Sequence, residues 1–529
     1  MEPNNKAEAD ALPNDDSNNA VEYPNAFRAS CVSVGVAFGL FLVGLDMVSA
    51  NIPLLLTIVA AAIPRITDEF KGINLVGWYG SAYFITLACF QPFWGKVYPF
   101  FSIKYTFLAA IFIFAIGSLV AGVAPNSTVL IFGRAVMGMG GAGIASGGYA
   151  ILGVVVRPQL RPIFTGLITT IYSIANVLGP ILGGVFTQQA TWRWCFYVNL
   201  PIGGLAALII FFLFHPPKSA HNTPLKEKLS HMDPIGIALA LASLILFTRV
   251  FEIAGIKEKW NSPSVIGFLI ACPISIIAFI VSQYLQGNHA LLVAQHLKRR
   301  IVVVGMAYGF FHEGAFYLLL YYIPIYFQVV KDASPSQAGV YNLPLLISCG
   351  VGSLLAGTLV SLTGHYVPLM LWAAAGGCIG SGLIYTLNTT SPSTQWIGYQ
   401  ILAGLAYGSG LPLAIIAAQA RTKPEDLAST TAMMLFSFCV GTSTSLAAGQ
   451  SVLSNFLLSK LPSLAPGVDP LQVITTGATE IRHAFPEAAI PGIVQAYLFC
   501  LRVIFLIVTA YAGIAVLCTF GNRWQRLKL

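Results

Sequence analysis

Apolar residues in this chain recur in runs about as long as one membrane crossing. Fourteen runs are readable, near 31–63, 76–95, 105–124, 128–152, 163–187, 196–214, 234–251, 264–284, 301–329, 338–362, 366–387, 396–417, 428–457 and 497–520. A hydrocarbon core about 30 Å thick needs roughly 20 apolar residues per helix. Within it, backbone polar groups are satisfied only in helices or closed barrels. The runs are unbroken rather than alternating, which excludes a β-barrel. Charged residues make up 9% of the chain and apolar residues 56%, against a usual charged share of about 25%. That balance excludes a soluble enzyme and a disordered chain. The chain reads as an all-α polytopic membrane protein, and a mean hydropathy of +0.76 agrees.

The runs group as six, two and six. The organisation expected is a disordered cytosolic tail over 1–29, a six-helix bundle over 30–215, a linker with two extra spans over 216–297, a second six-helix bundle over 298–521, and a cytosolic tail over 522–529. With the amino terminus inside, 17 of the 28 Lys and Arg fall on inner segments, eight on outer loops and three within spans. This asymmetry is the positive-inside pattern. It accounts for the net charge of +8 without a nucleic-acid partner. The nine Cys are scattered with no CxxC pair, and His312-Glu313 lacks the second His of a zinc-protease helix. No metal or cofactor is expected.

Residues 171–184 read Ile-Tyr-Ser-Ile-Ala-Asn-Val-Leu-Gly-Pro-Ile-Leu-Gly-Gly, in the fifth span. Pro180 removes a backbone donor and favours a kink, while Gly179, Gly183 and Gly184 bare one helix face for close approach. This element resembles the antiporter motif of major facilitator superfamily exporters, with Ala175 where the family has another Gly. Trp192-Arg193-Trp194-Cys195-Phe196-Tyr197-Val198-Asn199-Leu200-Pro201, Trp78-Tyr79-Gly80-Ser81-Ala82-Tyr83 and Tyr321-Tyr322-Ile323-Pro324-Ile325-Tyr326-Phe327-Gln328 point the same way. Together they resemble the fungal branch of the fourteen-span drug:proton antiporters, from about Phe38 to Trp524. The resemblance implies the major facilitator fold, two six-helix bundles around a midplane cavity plus two extra central helices, with both termini cytosolic.

Charges inside spans are costly and need reasons. Asp46 in the first span resembles the acid of the family's first-helix motif, which implies proton coupling. Arg134, in Gly133-Arg134-Ala135-Val136-Met137-Gly138-Met139-Gly140-Gly141, matches the Arg motif of the fourth helix. It would pair with a carboxylate and tune that proton site, or act as a clamp between helices one and four. Glu313 beside His312 has no matching motif. It is read as a substrate or proton site, or as a pair reaching for water near the inner end. In the stretch after span two, Gly95 and Lys104 survive of the superfamily's cytosolic gating loop, and Pro99 replaces its Asp. Asn126 and Asn388 head glycosylation sequons on expected outer loops.

The first run is long for one helix. Relative to the family pattern, Val48–Leu56 is an insertion of nine residues. In a continuous helix it would turn Asp46 half a turn out of register, so a gene-model error or a crippling lesion is expected, with looping at Pro53 as the escape.

The function expected is proton-coupled efflux of small amphipathic organic compounds, a fungal metabolite or drugs, by alternating access. The bilayer and protons would be its other partners, and the chain would act as a monomer without nucleic acid. The location expected is the plasma membrane, with the vacuolar membrane as alternative. Rival readings are a proton-symport uptake carrier, for instance for iron chelates, and a non-transporting sensor. No nucleophile–base pair supports an enzyme.

Overall fold

The computed structural model describes residues 25–47, 66, 69–70, 76–216, 224, 231–255, 258–423, 426–476 and 481–527. Among them, regular structure is helical apart from one isolated bridge, Ala254 to Glu258. The long helices are α1 (Ala26–Met47), α2 (Val76–Phe100), α3 (Ile103–Gly122), α4 (Ser127–Val155), α5 (Arg161–Gln189), α6 (Asn199–Leu213), α7 (Pro234–Ile253), α8 (Pro263–Gln286), α9 (Arg300–Ile325), α10 (Leu343–Thr363), α11 (Val367–Tyr385), α12 (Ser393–Gly410), α13 (Leu427–Leu464) and α14 (Ile490–Thr519). Thirteen of the described helical segments are long and apolar enough to cross a membrane. The remaining expected span is α2, whose Gln91, Lys96, tyrosines and prolines dilute its hydropathy. It tolerates them because it is an interior helix, packed between α4 and α13.

Starts are set by local chemistry. Asn126 accepts the Val129 amide, Ser262 accepts that of Val265, and Ser334 forms a capping box with Gln337 before the short helix leading into α10. Asp233 caps α7 from a left-handed backbone, φ 45°.

The two groups of six repeat one pairing scheme. In the first, α2 and α3 pack on α4, and α1 packs on α5 and α6. In the second, α10 and α11 pack on α12, and α9 packs on α13 and α14. The groups meet along two seams, α2 with α13 and α5 with α10. Arg28 donates to Leu213 O at 2.8 Å and Arg300 to Gly521 O at 2.6 Å, so the first and last helix of each group join at one end, the terminal side. Both seams include close backbone approaches in that half. A Cβ on Gly95 would overlap Ala432, and one on Gly357 would overlap Pro162 O. Ser353 Oγ donates to Gly166 O at 3.1 Å. Glycine is required at these crossings because backbones touch there.

The extra pair, α7 and α8, lies outside the bundles. α7 packs along α13 and α2, spanning their seam. Of the residues of α8, Val265 and Cys272 are buried, and Ile270, Ile274, Ile277 and Ile280 turn outward, a surface suited to hydrocarbon. At the terminal end, buried Lys96 of α2 donates its Nζ to His231 O at 2.8 Å and His289 O at 2.7 Å, gripping the segments that enter and leave the pair. At the far end, Asn455 of α13 donates to Ala254 O at 3.3 Å and accepts from Trp260 Nε1 at 3.2 Å. The pair is thus pinned to one bundle at one end and to the other bundle at the opposite end.

Candidate functional site

Asp46 lies one residue before the end of α1 and is fully buried. Arg134 of α4 donates Nη1 to Asp46 Oδ1 at 2.7 Å, Nη2 to Asp46 O at 3.3 Å, and Nε to Tyr79 O at 2.9 Å. Asn199, at the start of α6, donates to Asp46 Oδ2 at 2.9 Å and to Ser118 Oγ at 3.1 Å. The guanidinium also lies 4.6 Å from the Tyr83 ring centre. The glycines around Arg134 bring these partners in: a Cβ on Gly138 would overlap Tyr83 O, and one on Gly133 would lie 2.7 Å from the Ala121 amide. Asp46 and Arg134 are therefore brought together, in a network joining five helices. Asp46 is buried against Arg134 and Asn199 rather than turned half a turn away from them. Val48–Leu56 itself lies outside the described residues.

Between the bundles is a narrow central cavity. Its walls come from α1, α2, α4, α5, α9 and α13, with the segment Leu411 to Ile415 after α12. Glu313 faces it, in company with Tyr149, Tyr172, Phe316, Tyr317 and Phe438. Glu313 is 7% exposed and His312 is 0% exposed. The expectation that the two reach water together is overturned. His312 turns away from the cavity, bonding Tyr407 O through Nε2 at 3.0 Å and stacking on Tyr308 at 4.9 Å. Neighbours on a helix point about 100° apart, which separates the two side chains.

The antiporter-like element is continuous helix within α5. Ala175 is buried against α1, where a Cβ on Gly44 would lie 2.8 Å from its methyl. Gly179 and Gly183 are buried; the side-chain surroundings of Pro180 and Gly184 lie outside the described residues. The expected gating loop from Gly95 is mostly not a loop. Helix α2 runs to Phe100 because Tyr98 donates to Gly143 O at 2.7 Å and Lys96 is satisfied by the carbonyls named above. Gly95 sits in the α2–α13 crossing, and Lys104 begins α3 with its ammonium 5.1 Å from the Phe211 ring. Asn126 serves as a cap, and Asn388 Oδ1 accepts the Thr390 amide at 2.9 Å.

The sequence profile of the Major Facilitator Superfamily matches residues 36–446. The chain belongs to this superfamily. It is 43% identical over 512 residues to the MFS-type transporter grgE of a Penicillium species, covering 96% of this chain and 89% of that protein. It is 40% identical to the probable efflux pump gsfJ of Penicillium aethiopicum, covering 96% and 90%, and 38% identical to the MFS-type efflux pump MFS1 of Arthroderma benhamiae, covering 99% and 96%. Among solved structures, the human organic anion transporter MFSD10 matches with a TM-score of 0.56 at 14% identity, covering 94% of this chain and 99% of that one. The proton:xylose symporter XylE matches with 0.58 at 13%, covering 96% and 99%. At such identity these two speak to fold alone.

Within this major facilitator fold, sequence reasoning missed the partners of the charge pair. Asn199 was visible as a polar residue entering the sixth span, but nothing in its spacing says that it bonds Asp46. Tyr79 contributes a backbone carbonyl, for which no side-chain signal exists. Lys96 was visible only as a basic residue at a helix end, and its carbonyl acceptors come from segments 135 and 193 residues away.

Proposed function

We propose that this chain is a proton-coupled efflux transporter that exports small amphipathic organic compounds from a fungal cell by alternating access. The observation that carries the reading is a central cavity walled by both bundles, aromatic, and holding one unpartnered carboxylate, in a chain whose fungal relatives bear the names of efflux pumps. The close seams of the terminal half and the central cavity would supply the two ingredients of alternating access, a barrier that can open and a midplane site.

The Asp46–Arg134 pair is the proposed proton-coupling element. It lies where α1 meets α4, and α5 presses Ala175 against the same stretch of α1. Protonating Asp46 would release Arg134 and free α1 to shift against its neighbours, which ties proton binding to helix packing. Gly179, Pro180, Gly183 and Gly184 form the proposed packing face of α5, and Gly95 the proposed pivot of the α2–α13 seam. Each chain walls a complete cavity, in keeping with action as a monomer, and the plasma membrane is the proposed location.

The test uses the full chain in vesicles with an imposed pH gradient. Asp46→Asn and Arg134→Ala should insert normally and lose proton-driven export of an amphipathic dye by at least about tenfold, the scale of one lost charge interaction. Wild-type rates in both variants would refute the coupling role.

A further inference from the structure

Glu313 is the only carboxylate lining the central cavity, and no Lys, Arg or His lines it among the described residues. It is nine-tenths buried, with neither a hydrogen bond nor an ion pair to any described residue. The titratable groups that line the cavity with it are Tyr149 on α4, Tyr172 on α5, Tyr317 on α9 and Cys439 on α13. None of them supplies a positive charge. Arg134 is committed to Asp46, and His312 to Tyr407 O. Two further cavity atoms lack partners, Asn176 Oδ1 and Thr442 Oγ1, on the α5 and α13 walls.

A buried carboxylate must be neutralised by a proton or by a cation. Around this one stand Tyr172, Phe316, Tyr317 and Phe438, whose ring faces attract positive charge and flat apolar bodies. One negative group matches one positive charge. A dication would leave a charge unpaired in the cavity, and an anion would meet Glu313 as a like charge.

We propose that Glu313 makes the cavity selective for aromatic organic monocations, exchanging its proton for the cation. This rests on the efflux reading above. The bookkeeping closes at one carboxyl group: its O–H bond breaks, the proton passes to bulk water through the open cavity, and the carboxylate pairs with the incoming cation. On the other face of the membrane, a proton rebinds the carboxylate and the cation leaves.

The probe is tetraphenylphosphonium, an aromatic monocation with no titratable group, so any proton released on binding comes from the protein. Triphenylphosphine oxide is the neutral control. Purified full chain in weakly buffered detergent should release about one proton per cation bound. Glu313→Gln should bind the cation about 100-fold more weakly, the scale of a truncated buried charge pair. It should release no proton and bind the neutral control unchanged, while Glu313→Asp should recover part of the cation affinity. Equal cation affinity in Glu313→Gln, proton release surviving in that variant, or a wild type that ignores the cation while binding the neutral control would overturn the inference. Export of the neutral control in pH-gradient vesicles separates the two claims. If neither protein moves it or the cation, the efflux reading fails; if both proteins move neutral and cation alike, only the Glu313 inference fails.

Discussion

Asp46 and Glu313 are both acids buried in the first helix of a six-helix group, and they meet opposite fates. Asp46 is saturated: Arg134 takes one oxygen, Asn199 the other, and its backbone carbonyl is bonded too. Glu313 has no partner among the described residues and faces the central cavity. The saturated acid sits in a network that ties five helices together, and a proton would reach it only by disturbing that packing. The unpartnered acid can exchange its counter-charge with little change around it. An acid in an apolar run is therefore one sequence signal with two physical meanings, and what separates them is the company the fold supplies.

The comparison breaks most visibly in stability. Arg134→Ala strands the Asp46 carboxylate and the Tyr79 carbonyl, and removing one partner of a buried pair costs about 3–5 kcal/mol. Glu313→Gln removes no partner, so its cost should stay within about 1 kcal/mol. Thermal unfolding in detergent, followed by loss of the monodisperse peak, should show Arg134→Ala well below wild type and Glu313→Gln close to it. Equal losses in the two variants would mean that Glu313 is held by contacts like those of Asp46.

A middle case sharpens the scale. Lys96 is buried like Arg134, yet it bonds two neutral carbonyls rather than an acid. Hydrogen bonds from a charged donor are worth about 1.5–3 kcal/mol, so Lys96→Met should cost about 2 kcal/mol, between the two extremes. The loss should be local. Hydrogen exchange should quicken over 231–236 and 287–292, where Asp233 accepts the Leu291 amide at 2.6 Å, and leave α4 unchanged. Uniform quickening would show that the extra helix pair is integral to the bundles rather than pinned at its ends.

Much of the fold was legible because hydrocarbon demands it. Where they are described, the apolar runs are helical, and the described helices pair in two groups of six with two outside them. Misreadings cluster where burial comes from neighbouring helices. The stretch from Gly95 is helical because Tyr98 and Lys96 find distant carbonyls. At the site, Asp46 and Arg134 were readable as costly charges in motif positions. Asn199, Ser118 and the Tyr79 carbonyl were not, since each acts through a contact made only on folding. Glu313 and His312 were read as one pair because they are adjacent in sequence. The turn of the helix sends one to the cavity and the other to Tyr407.

The smallest effect belongs to a charge pair at the water's edge. Glu69, outside the spans, accepts from Arg193 at 2.9 Å and from Trp192 Nε1 at 2.7 Å, with its side chain 44% exposed and that of Arg193 28% exposed. The Arg193 and Trp192 hydrogen bonds hold its carboxyl below the ordinary glutamate value of 4.5. A carboxyl depressed on folding adds stability above its unfolded value and loses it as pH falls through the folded one. The contribution should therefore be full at neutral pH and fade below about pH 4.5. Solvent screening holds such an exposed pair to about 0.5 kcal/mol, several-fold less than the same chemistry buried at Asp46. Glu69→Gln should lower the melting temperature slightly at pH 7 and not at all at pH 3. A difference that persists undiminished at pH 3 would mean that Glu69 acts through packing against Trp192 rather than through its charge.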